Sequence, residues 1–225
     1  MAQSTTLIVP GYKGSGETHW QTWIENHIAG AQRINQNWDE PILARWADNI
    51  RLAIDHCPQS VWLVAHSFGC LASVAAAVDR ADKISGLMLV APADPGRFTP
   101  SGVRPIDDWN ATESIRGLLP TKRLKFPSII IASTNDPWMQ LAKAKLWGEC
   151  WGSKVLALDS VGHINTASGF GPWPLGLKLL REFKSIYDLI PLGEIDPSQP
   201  VKPQRGRGSQ LAKARHITRQ HLGFK

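Results

Sequence analysis

The sequence predicts an α/β fold built on one six-stranded parallel sheet, and three observations carry that expectation. Short apolar, β-branched runs alternate along the chain with stretches of helical spacing, which is the pattern of βα units. Loops rich in Gly, Pro and Ser separate them. A length of 225 residues suits one domain with an ample core, and 43% hydrophobic and 20% charged residues are ordinary for a soluble globule.

Taken in order, Thr5–Pro10 reads as a first strand buried on both faces, followed by the glycine-rich loop Gly11–Gly16 (GYKGSG). Glu17–Ile28 has helical spacing, with Trp20, Trp23, Ile24 and His27 on one face. Ala31–Asn35 is a weak second strand. Glu40–His56 is helical, with Pro41 suited to its first turn. Val61–Val64 is the third strand and Leu71–Val78 an Ala-rich helix. Ile84–Ala91 is the fourth strand. Pro92–Pro127 carries repeated Pro and Gly and little periodicity beyond a short helix near Thr112–Leu118; it reads as a modest insertion, not a second domain. Ser128–Ser133 is the fifth strand, Pro137–Cys150 a helix and Lys154–Asp159 the sixth strand. A loop at Gly162–Pro174 leads to a last amphipathic helix, Leu175–Ile190. The domain is therefore expected over residues 1–190.

Charge separates body from tail. The chain has 25 Lys/Arg and 19 Asp/Glu, but residues 197–225 hold seven of the basic residues and none of the acidic ones, so residues 1–196 carry a net −1. Residues 191–225 are Pro/Gly-rich and basic and are expected to be disordered and solvated. The alternative for 197–225 is salt-sensitive contact with nucleic acid or an acidic partner. No stretch approaches the roughly 20 apolar residues of a membrane span, and the N-terminus lacks a signal-peptide pattern. Cys57, Cys70 and Cys150 are odd in number and match no metal motif, which suits reduced thiols and a cytoplasmic setting.

The chemistry centres on Ala65-His66-Ser67-Phe68-Gly69. A buried strand, a five-residue turn and a helix are the context of a nucleophile elbow, whose usual pattern is G-x-S-x-G. The turn must be so sharp that the serine is strained and its hydroxyl stands above the sheet. Small residues are needed two before and two after, where backbones nearly touch. Gly69 supplies one; Ala65 replaces the usual Gly at the other with the smallest possible side chain.

A serine hydroxyl needs a base, and a histidine base needs a carboxylate to set its tautomer. In the α/β-hydrolase arrangement these follow in the order Ser, Asp/Glu, His, on loops after late strands. Asp136 (STNDPW) follows the fifth strand and His163 (DSVGHIN) the sixth. Asp159 and Asp94 are rival acids. A strand order of 2-1-3-4-5-6 puts the first loop beside the elbow, so the Tyr12 and Phe68 N–H groups are expected to form the oxyanion hole. Gly11, His66, Trp138 and Trp173 are candidate pocket-lining residues, with the two tryptophans equally suited to core. His19, His27 and His56 show no metal spacing, so no metal site is expected. The GYKGSG loop lacks the G-K-[ST] of a phosphate-binding loop.

With these residues laid out, the chain resembles the small α/β-hydrolases of the retinoblastoma-binding-protein-9/YdeN serine hydrolase family. The resemblance rests on VPGYKGSGETHWQTW at Val9–Trp23, AHSFGC at Ala65–Cys70, STNDPW at Ser133–Trp138 and GHINTASGFGPWP at Gly162–Pro174. It implies a compact hydrolase with a reduced sheet and a minimal cap, with Ser67 as nucleophile, Asp136 as acid and His163 as base. It further implies cleavage of carboxylic esters or small acyl amides, with no metal or organic cofactor. The alternative is a catalytically weak protein that keeps the fold as a protein-binding module.

Overall fold

Six strands pair side by side in parallel; the four central ones are buried along almost their whole length, as strands covered on both faces are, and the two edge strands are more exposed. The computed structural model describes residues 4–105, 107 and 113–188. The strands are β1 (Thr5–Val9), β2 (Gln32–Arg33), β3 (Val61–His66), β4 (Ile84–Val90), β5 (Ser128–Ser133) and β6 (Lys154–Leu158), in the spatial order β2-β1-β3-β4-β5-β6. This is the predicted α/β-hydrolase sheet with order 2-1-3-4-5-6. A two-residue antiparallel hairpin, Phe98–Thr99 with Gly102–Val103, lies outside it.

Side chains alternate across the sheet with the strand period of two, and two cores result. Leu7, Val9, Leu63, Ala65, Leu87, Leu89 and Ile130 face one core; Ile8, Trp62, Val64, Met88, Val90, Ile129 and Ile131 face the other. Helices α2 (Leu43–His56), α3 (Phe68–Ala77) and α4 (Leu141–Trp151) cover the first face, and α1 (Trp20–Glu25) and α5 (Pro174–Tyr187) the second. The α2 helix buries Leu43, Trp46, Ala47, Ile50 and Ile54, an i, i+3, i+4, i+7 stripe. By contrast α3, central behind the sheet, is buried almost all round.

Several boundaries differ from expectation. The first helix starts at Trp20, not Glu17, because the His19 imidazole caps it, and it ends at Glu25, after which the chain turns away. Pro41 lies outside α2, which begins at Leu43 after an N-cap at Ile42. The third strand runs on to His66 and α3 starts at once at Phe68, so the elbow has no slack. The helix expected from Pro137 starts at Leu141, and the second strand shrinks to two residues. The insertion holds 3-10 turns at Pro95–Arg97 and Ile115–Leu118 besides the hairpin. The last helix is described to Tyr187, and the basic tail expected over 191–225 lies outside the described residues.

Candidate active site

The register of the sheet brings the first loop to the elbow. Val9 pairs with Ala65 in β1–β3 and His66 with Val90 in β3–β4, so Gly11 comes to lie beside Ser67. A Cβ on Gly11 would stand 2.7 Å from the Ser67 Cβ, so only glycine lets the loop approach this closely. Gly69 meets a tighter limit: a Cβ there would lie 2.3 Å from the Pro10 carbonyl oxygen. The backbone that crowds Gly69 is thus the end of β1. Ser67 has φ 55° and ψ −126°, the strained conformation expected of an elbow, which costs on the order of 1–3 kcal/mol. Its N–H extends the ladder to the Val90 carbonyl at 3.1 Å.

Ser67, His163 and Asp136 come together above the carboxyl ends of the strands. His163 Nε2 lies 2.8 Å from Ser67 Oγ, and His163 Nδ1 lies 2.9 Å from both carboxylate oxygens of Asp136. A carboxylate only accepts, so Nδ1 carries the proton and Nε2 is left to accept from the serine hydroxyl. All three side chains are buried. Asp136 also accepts from the Trp138 N–H at 2.8 Å. The rival acids are engaged elsewhere: Asp159 accepts from the Thr134 and Ser160 hydroxyls, and Asp94 caps Gly96 and pairs with Lys143.

β6 is the sheet edge, so its loop must be drawn back across β5 to deliver His163. Polar groups that the sequence reading did not single out do this. The Asn135 Oδ1 accepts from the Gly162 N–H at 2.7 Å and from the Ser133 hydroxyl at 2.8 Å, and the Ser133 Oγ accepts from the Val161 N–H at 3.0 Å. The His163 N–H donates to Ser168 Oγ at 3.1 Å, and Ser168 is held by Asn165. The Ile164 carbonyl accepts from the Trp20 indole at 2.8 Å. The only sequence signal for these groups was the density of Ser and Asn in STND and HINTAS, which also describes any turn.

His66 closes the ring from below. Its Nε2 donates to the His163 carbonyl at 3.0 Å, and burial, with His163 and His19 adding, pushes its pKa well below the usual imidazole value. It is therefore a neutral brace at the back of the cavity. Burial likewise raises the Cys70 thiol well above its usual value, which makes it inert. Gln21, fully buried, donates to the carbonyls of both Val9 and Val64 and accepts from Ser15 Oγ at 2.6 Å, stitching β1 to β3 just below the site.

A cavity of about 360 Å³ opens over Ser67 and His163. Tyr12, Lys13 and Gly14 form one wall and Phe98 and Trp138 another. Among the described residues, neither the Tyr12 nor the Phe68 N–H is bonded to a backbone carbonyl; the latter opens α3 and has no intrahelical acceptor. His66 and Trp138 border the cavity as expected. Gly11 does not: it is buried behind it, against Ser67. Trp173 does not either. It packs edge-on to Trp20, centroids 5.2 Å apart, in the core across the sheet. The insertion reaches the cavity through Phe98, whose ring lies 4.5 Å from that of Phe68. A second cavity of about 370 Å³, between Val78 and Leu119–Phe126, contains no nucleophile–base pair.

The sheet order, the elbow and the crossover helices define an α/β-hydrolase. The model of the serine hydrolase family matches residues 6–182, and the chain belongs to that family, in its YdeN-like branch. A YdeN-like protein from Pectobacterium atrosepticum is 39% identical, with a TM-score of 0.70 over 82% of this chain and 92% of that one. The structure of YdeN from Bacillus subtilis superposes with a TM-score of 0.62 at 20% identity, over 81% of this chain and all of YdeN. In sequence, YdeN is 33% identical over 68 residues, which is 28% of this chain and 36% of YdeN. No described helix is long and apolar enough to cross a membrane.

Proposed function

We propose that the chain hydrolyses small carboxylic esters, and small acyl amides more slowly, through an acyl-enzyme on Ser67. The observation that carries this reading is the continuous line Ser67 Oγ, His163 Nε2, His163 Nδ1, Asp136, with 2.8 and 2.9 Å spacings. Ser67 Oγ attacks the substrate carbonyl carbon while His163 Nε2 takes its proton. The resulting imidazolium is stabilised by Asp136. Charge gathers on the former carbonyl oxygen and is received, in this reading, by the Tyr12 and Phe68 N–H groups, which have no backbone acceptor among the described residues; such donors supply about 2.7–4 kcal/mol each. His163 then gives the proton to the leaving oxygen or nitrogen. Water, deprotonated by the same nitrogen, attacks the acyl-enzyme and frees Ser67. A 360 Å³ cavity lies at the low end for ligand sites and supports short acyl groups over long chains.

The test is labelling by a fluorophosphonate, together with p-nitrophenyl butyrate hydrolysis, in wild type, Ser67→Ala and His163→Ala. Wild type should label at Ser67 and turn over. Both variants should lose label and at least about 10⁴-fold in kcat. A folded wild type that neither labels nor hydrolyses the ester would replace this reading with that of a binding module.

A further inference from the structure

His19 stands in the cavity wall with one ring nitrogen in use and the other unused. Its Nδ1 accepts from the Gln21 N–H at 3.1 Å and so caps α1. A nitrogen that accepts is unprotonated, so in the neutral ring the proton sits on Nε2. Nε2 has no hydrogen-bond partner among the described residues. The residue is nevertheless only 5% exposed, and it borders the cavity over Ser67. Burial first, then the charges of Arg33 and His163, holds its pKa down at about 4, so the ring stays neutral across the working range. Trp20 and His66 pack against it, with ring centroids at 5.5 and 5.0 Å. The His66 ring in turn lies 5.0 Å from that of His163, so the donor stands one side chain away from the proposed base.

An N–H of fixed tautomer that opens onto the cavity is satisfied by solvent while the cavity is empty. A ligand that fills the cavity displaces that solvent. If it presents carbon to the nitrogen, the donor is left unpaired; if it presents oxygen, the bond is restored. We propose that His19 is a specificity-determining residue whose Nε2–H donates to a second oxygen on the substrate, a hydroxyl, ether or carbonyl set apart from the scissile group. The favoured substrates are then oxygenated short-chain esters rather than plain alkyl ones. This rests on the hydrolase reading above, but its readout is a ratio that presupposes turnover, so the two fail separately.

Two matched ester pairs test it. On the acyl side, p-nitrophenyl methoxyacetate is compared with p-nitrophenyl butyrate. On the alcohol side, 2-methoxyethyl butyrate is compared with butyl butyrate. In each pair one oxygen replaces one methylene. The variants are His19→Asn and His19→Ser, whose short side chains still cap α1 but cannot extend a donor to the position of Nε2. In one pair the kcat/KM ratio of oxygenated to plain ester should fall about tenfold from wild type to both variants, equivalent to about 1.4 kcal/mol. The pair that responds locates the oxygen on the acyl or the alcohol side. Ratios that stay within twofold of wild type in both pairs, in either folded variant, overturn the proposal and leave the hydrolase reading standing. A wild type that turns over none of the four esters overturns both.

Discussion

The two halves of the site are held in place by different forces. On the nucleophile side, position is set by close approach of backbones: Gly11 lies against Ser67, Gly69 against the end of β1, and Ser67 is forced to φ 55° between them. On the acid–base side, β6 is an edge strand and its loop is pulled inward by hydrogen bonds from Asn135, Ser133, Ser168 and Trp20. A steric limit is all-or-none, because interiors are already close-packed. A hydrogen-bond net is graded, because each member contributes a modest net amount. Damage to the first half should therefore unseat the fold, and damage to the second should misplace His163 while the fold survives.

The largest expected effect is that of Gly69→Ala. The added Cβ would meet the Pro10 carbonyl oxygen at 2.3 Å and the Val9 carbonyl oxygen at 2.8 Å, and neither can swing away as a side chain would. A loss of about 3 kcal/mol is expected, which lowers Tm on the order of 10 °C for a chain of this size. Gly117→Ala, whose Cβ meets nothing within 4 Å among the described residues, is the control and should leave Tm nearly unchanged. If thermal melts of the two variants agree, close approach is not what seats the nucleophile.

On the other side, Asn135→Ala removes the acceptor for both the Gly162 N–H and the Ser133 hydroxyl. Two donors lose their partner; the Gly162 bond is exposed and the Ser133 bond half-buried, so solvent replaces much of each and the fold is retained. Gly162 is the residue before His163, so the imidazole loses its alignment with Ser67. Ester hydrolysis should show kcat lower by roughly 10- to 100-fold with KM little changed, since misplacement by about 1 Å costs on that order. Asn135→Asp keeps the accepting oxygen and should recover part of the loss. A kcat within twofold of wild type in Asn135→Ala would remove the contrast between the halves.

This division also explains what was legible in the sequence. The fifth strand was read with its observed bounds because an apolar, β-branched run has one stable use in a parallel sheet. The elbow was legible because steric limits select residue types, and Ser67 and Gly69 are the record of that selection. The hydrogen-bond net was not, since Asn135 and Ser168 look like any turn residues until the loop they hold is seen. Trp138 and Trp173 make the same point. Both follow a site residue in a loop, but one lies on the cavity side of the sheet and the other packs on Trp20 in the opposite core. His19 and Gln21 read as members of a helix beginning at Glu17; the helix starts later, and His19 is its cap. The helices expected from Glu40, with Pro41 in the first turn, and from Pro137 both begin later, at Leu43 and Leu141, for a common reason: proline is compatible with a first turn and equally with the loop before it.

The smallest expected effect is that of Asp159, the rival that the sequence ranks below Asp136 as the acid. Asp136 and Asp159 both follow late strands. Asp136 is buried with both oxygens on His163 Nδ1, whereas Asp159 is exposed and, among the described residues, accepts from the Thr134 and Ser160 hydroxyls. Asn in place of Asp159 keeps the accepting oxygen and removes a charge that solvent already screens. Its ester kcat/KM should stay within about twofold of wild type. Asp136→Asn is nearly isosteric too, but it offers its amide N–H to Nδ1, which then must give up its proton to Nε2. The base is held in the wrong tautomer, and kcat should fall by about 10⁴-fold. Equal losses in the two variants would mean that the acid is not chosen by burial against His163, and the proposed proton path would have to be redrawn.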